Sequence, residues 1–128
     1  MEKRGERARW IGVLLLAGSL GLGSAPARAD VDAGQAVFSA NCAACHGANG
    51  DGSGPAAAAM VPKPRDLTRG EFAIDTDGDG VKGSDADLGN VIRKGAAAFG
   101  GSPLMSPWGH LSEAEVGDLV AFIRSLAE

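Results

Sequence analysis

Cys42-Ala43-Ala44-Cys45-His46 is the stretch on which the reading of the whole chain turns. Its form is C-x-x-C-H, and the spacing has a chemical meaning. Two thiols three residues apart on a helical turn can each form a thioether with one of the two vinyl groups of a porphyrin, which sets the adjacent imidazole beneath the iron. The pattern therefore predicts one covalent haem c held by Cys42 and Cys45, with His46 as the proximal iron ligand. The His46 tautomer is fixed if Nδ1 donates to a backbone carbonyl, which Pro62 or Pro64 could supply from a returning loop.

Three other uses of these residues fit less well. A structural zinc site needs four ligands, and His110 stands 64 residues beyond His46 without the usual paired spacing. A thioredoxin-like pair needs a βαβ framework, for which the chain has no strand pattern. A plain disulfide suits an oxidising compartment, but the same sulfurs cannot also form thioethers.

The surroundings agree with a cofactor-built core. The 128 residues make one small domain, and 45% hydrophobic with 22% charged residues fits neither a disordered chain nor a multi-span membrane protein. Residues 1–9 are basic on balance, and an uncharged run from Trp10 to Gly23 follows, too short to span a bilayer. Ala27-Arg28-Ala29 then offers small residues at the two positions a signal peptidase reads, so residues 1–29 are expected to be a secretory leader and residues 30–128 the mature domain. That domain keeps 7 basic and 14 acidic residues, a formal charge of −7. Such a charge argues against nucleic-acid and anionic-membrane binding and favours partners with basic docking patches.

Three helices are predicted in the mature domain. The first starts after Asp30 or Asp32 and runs through the C-x-x-C-H turn to Gly47. The second opens at Ser84 or Asp85, carries Leu88, Val91 and Ile92 on one face, and ends at Gly95. The third has a capping box at Ser112 and Glu115, a Leu111–Val116 staple, and an apolar stripe of Val116, Leu119, Val120, Ile123 and Leu126. No stretch alternates with period two, so the fold class is all-α. Between Gly47 and Gly83 lies a long glycine- and proline-rich passage, broken only by an alanine-rich turn from Pro55 to Met60. A loop of that length in so small a domain makes sense if it wraps a large apolar group.

Asp75-Thr76-Asp77-Gly78-Asp79-Gly80 opens like an EF-hand calcium loop, but Ala86 occupies the twelfth position, where the bidentate Glu belongs. A turn-rich acidic insertion is the favoured reading, and calcium the lesser one.

With these motifs together, the mature chain resembles a class I mono-haem cytochrome c of the small bacterial periplasmic kind. The resemblance rests on Cys42-Ala43-Ala44-Cys45-His46, on Pro103-Leu104-Met105-Ser106-Pro107-Trp108-Gly109, and on the helix after Leu111-Ser112. It implies a small cytochrome c fold in which the N- and C-terminal helices cross through Gly34, Phe38, Leu119 and Phe122, while loops wrap the haem. It also implies that Pro62–Leu67 passes the proximal side and that Met105 is the sixth ligand. The residues alone leave Met60 and His110 as competitors, although Pro103 and Pro107 stiffen the Met105 loop and a thioether suits haem iron. Arg65 could meet a haem propionate or remain a solvated charge.

The implied role is a monomeric periplasmic one-electron carrier that is not itself an enzyme and has no membrane span in its mature form. Its partners would be redox proteins docking at the haem edge, rimmed by Gly100–Gly109. Two alternatives stand beside it: a cytochrome subunit of a larger oxidoreductase complex, or a haem enzyme or gas sensor if the sixth site is open.

Overall fold

The computed structural model describes residues 21, 23 and 28–128. The leader expected over residues 1–29 falls almost wholly outside these, so only the domain is described. Four helices build it: α1 (Val31–Asn41), α2 (Ala43–His46), α3 (Asp85–Lys94) and α4 (Glu113–Ser125), joined by 3₁₀ turns at Pro55–Ala59, Leu67–Arg69 and Ala96–Phe99. The described residues contain no strand, as the absence of period-two patterning predicts.

Helix starts follow the side chains that can satisfy free backbone N–H groups. Asp30 caps α1 by accepting from the N–H groups of Asp32 and Ala33. Ser84 and Asp87 form a reciprocal box at α3, and Ser112 and Glu115 form one at α4. The first predicted helix divides at Cys42, where φ is −113°. Immediately before it, the Asn41 side chain donates to the Val37 carbonyl at 2.9 Å, a local bond that competes with the regular ladder. His46 N–H still bonds the Cys42 carbonyl at 2.9 Å, so the short α2 continues as a separate turn carrying Cys45 and His46.

The largest helix interface joins α1 to α4. Phe38 and Leu119 are fully buried in it, and the Phe38 and Phe122 rings lie 5.1 Å apart, tilted by 56°. Gly34 makes the crossing possible, because a Cβ there would overlap the Asp118 carbonyl of α4 and stand 2.9 Å from the Phe122 Cβ. Backbone cannot yield as a side-chain tip can. Gly34→Ala is accordingly expected to cost about 1–3 kcal/mol. A melting curve should show a fall of roughly 4–8 °C for each kcal/mol lost; an unchanged midpoint would mean that the crossing tolerates a wider separation. Ile92 and the α4 stripe of Val116, Val120 and Ile123 complete the core.

Candidate haem site

One side of this core opens into a cavity of about 540 Å³, within the range that encloses sizeable organic ligands. Its walls are largely apolar, with Phe38, Leu67, Ile92, Leu119 and Ile123 shared between core and cavity. Cys42, Cys45, His46 and Met105 all line it, and so does Met60. His110, the other competing ligand, is not among the lining residues; its ring packs 5.7 Å from that of Trp108. The structure thus brings the four expected site residues together around one space and keeps Met60 as a second thioether beside it.

The attachment turn is held from behind by the glycine-rich loop that follows it. The N–H groups of Gly52 and Gly54 donate to the carbonyls of His46 (2.7 Å) and Cys45 (3.1 Å), which satisfies the free C-terminal end of α2. Gly54 lies so close to α2 that a Cβ would overlap the backbone at Ala44 and Cys45. Sequence reading treats Gly54 only as one of many loop glycines; the close backbone approach is its role. Leu67 N–H then donates to the Gly50 carbonyl at 2.7 Å, folding the returning loop over the turn.

His46 Nδ1 lies 3.1 Å from the Arg65 carbonyl. The bond expected from Pro62 or Pro64 therefore comes from the residue just after Pro64. Pro64 and Asp66 flank it, and Asp66 caps the next 3₁₀ turn, so the carbonyl is presented by a stiff segment. An Nδ1–H donor leaves Nε2 as the lone-pair nitrogen for a metal. Burial lowers the His46 pKa from its ordinary value, against a smaller opposite effect of the Arg65 carbonyl, and so favours the neutral, ligating imidazole. The Arg65 guanidinium donates to the Glu71 carbonyl at 2.8 Å.

Cys42 and Cys45 are half-buried free thiols. Burial, with the neighbouring Cys45, pushes the Cys42 thiol up to about 11. It stays protonated at neutral pH and is a poor thiolate for closing a disulfide. The Met105 loop, which lines the same cavity, is tied through its backbone to α3 and to the 3₁₀ turn after it. Ala96 N–H donates to the Met105 carbonyl (3.3 Å), Gly101 N–H to the Ala96 carbonyl (2.8 Å), and Trp108 N–H to the Ile92 carbonyl (2.8 Å). Two thiols, a neutral imidazole with its tautomer set, and a thioether on an apolar wall form a donor set that fits haem c.

The acidic insertion is organised differently. Carboxylate oxygens of Asp75, Asp77 and Asp87 lie within 4.8 Å of one another. Asp75 accepts from the N–H groups of Gly78 and Gly80, Asp77 from Asp79, and Asp79 from Val81, so the loop closes on its own amides. These bonds shape the turns of the insertion.

Comparison with known proteins bears on the family of the chain. The chain is similar to a chain of the Kuenenia stuttgartiensis reducing HAO-like protein complex, with 31% identity, a TM-score of 0.62 and 76% of this chain covered. This chain matches 42% of that neighbour's length. No curated protein sequence matches it. A model of the cytochrome c family matches residues 31–127. Because that match runs from the first residue of α1 to the end of the last helix, taking in both thiols, His46 and Met105, the chain belongs to the cytochrome c family.

Proposed function

We propose that residues 30–128 form a mono-haem one-electron carrier, with Cys42 and Cys45 as the thioether sites and His46 and Met105 as the axial ligands, working in the periplasm after removal of residues 1–29. One observation carries this reading: both thiols, His46 with Nδ1 held by Arg65, and Met105 face a single apolar cavity. The bound group supplies the reversible one-electron change. His46 and Met105 would hold the iron from the protein and leave no position open to substrate, while the largely apolar walls limit contact with water. A fixed ligand set also limits geometric change between oxidation states. The tie between Asp30 N–H and the Asp118 carboxylate, at 2.7 Å, supports processing after Ala29, because the new α-amino group would sit on a carboxylate.

An intact mass measured on protein from the producing cell tests attachment and processing together. The expected mass is that of residues 30–128 plus one haem; a chain without added haem would defeat the reading. No helix among the described residues is long and apolar enough to cross a membrane.

The neighbour from the HAO-like complex favours a second reading, a cytochrome subunit of a larger assembly, since it is a longer chain within a named complex. Gel filtration of native extract separates the two: haem absorbance eluting at the size of the domain supports the monomeric carrier, and coelution with a larger enzyme supports the subunit. The acidic balance of residues 30–128 favours partners with basic patches, so the association rate should fall with added salt.

A further inference from the structure

Asp87 is the one buried charged residue among the described residues, at 1% exposure, and it borders the cavity. Its position is N3 of α3, where a capping box requires only that it accept from the Ser84 N–H. The structure does more than this. One carboxylate oxygen accepts from the Thr76 N–H (2.6 Å) and hydroxyl (2.7 Å), and the other from the Ser84 N–H (2.9 Å) and hydroxyl (2.9 Å). Asn90 in turn donates to the Thr76 hydroxyl at 2.9 Å.

The charged groups around Asp87 do not neutralise it. Asp75 and Asp77 are also acidic, and Arg124, which reaches the start of α3, bonds Asp85 (2.9 Å) and the Gly83 carbonyl (2.5 Å) and not Asp87. Four oriented donors instead of a cation keep the carboxylate ionised, and the Thr76 amide and hydroxyl above all hold its pKa well below the usual carboxylate range. A charge in a poorly screened wall acts strongly on a neighbouring charge change. Removing an electron from a group in this cavity adds positive charge there, which a fixed anion favours.

We propose that Asp87 is a potential-setting residue: a fixed carboxylate charge in the cavity wall that favours the oxidised haem and offsets part of the rise in potential given by a methionine ligand. The inference rests on the haem reading above. The electron would pass between the bound group and its redox protein partner, and Asp87 keeps its charge throughout, so no proton is exchanged at this residue.

The test is a spectroelectrochemical titration of the haem-bearing protein and three variants. Asp87→Asn should shift the oxidised-to-reduced ratio at a given potential at least threefold toward the reduced form, raising the midpoint by about 28 mV or more at 59 mV per decade. Asp79→Asn removes the same unit charge from the loop that precedes α3, at an exposed position outside the cavity lining, and should move the midpoint less than half as far. Thr76→Val keeps the charge but removes one donor to it, and should move the midpoint downward. A role in folding alone would not give shifts of opposite sign. An unmoved midpoint in Asp87→Asn, or an equal shift in Asp79→Asn, overturns the proposal. If Asp87→Asn does not fold, Thr76→Val decides, and an unchanged or raised midpoint there overturns it. Wild-type protein without covalent haem defeats the earlier reading before any potential is measured, whereas haem-bearing variants with an unmoved midpoint defeat only this one.

Discussion

Replacing Cys42 and Cys45 together by serine should remove all covalent haem and leave a polypeptide without a stable native fold. The first half follows from chemistry, because a hydroxyl at these positions gives no thioether to a vinyl group. The second half follows from where the cavity lies. Phe38, Leu67, Ile92, Leu119 and Ile123 belong both to its walls and to the main core, so the space is continuous with the packing that joins α1 to α4. Without the bound group, the apolar walls of this space of about 540 Å³ lose the packing partner that covers them and meet water instead. A whole domain of this size has only about 5–15 kcal/mol of stability. A haem-stained denaturing gel should fall to background and the cooperative melting transition should disappear. A pigment-free double variant that melts at the wild-type temperature would show that the helices hold each other without the cofactor. Single replacements keep one attachment point and should retain pigment on the gel.

The elements most legible in the sequence are those fixed by short-range chemistry. The Ser112–Glu115 box, the start of α3 at Ser84 and the C-x-x-C-H turn each depend on residues within four positions of one another, and each is found where the sequence puts it. The helix crossing through Gly34 and Phe38 was open to reading only through family resemblance, since nothing near Gly34 in the chain reveals that the Asp118 carbonyl lies against it. Longer reach was less legible. A histidine and two prolines narrow the Nδ1 partner to a loop, but one peptide decides the donor-acceptor pair, and Arg65 holds it. The least legible residue was Asp87. In the sequence nothing sets it apart from the other aspartates of its acidic run; only the fold brings Thr76 back onto it, eleven residues away, and places Asp87 beside the cavity.

Met105→Ala is expected to turn a closed site into one that admits an outside ligand. Three backbone hydrogen bonds tie its loop to α3 and to the following 3₁₀ turn, and none of them uses the thioether, so the loop should keep its course when the side chain is shortened. Pro103 and Pro107 restrict it further. What is lost is the soft sulfur donor. The sulfur-to-iron charge-transfer absorption should vanish, and the reduced protein should bind carbon monoxide rapidly at neutral pH, where the wild type binds negligibly. Loss of the thioether also removes its preference for the reduced iron. The midpoint should therefore fall by about 59 mV or more, a tenfold change in the one-electron equilibrium. Met60→Ala is the matched control, because Met60 lines the same cavity from the loop that returns past His46. It should leave the absorption, carbon monoxide exclusion and midpoint near those of the wild type. The reverse pattern, with the band surviving Met105→Ala and lost in Met60→Ala, would assign the sixth position to Met60. Loss of the band in neither variant would mean that the band does not arise from methionine, and rapid carbon monoxide binding by the wild type would point to a site built for ligands instead of electron transfer.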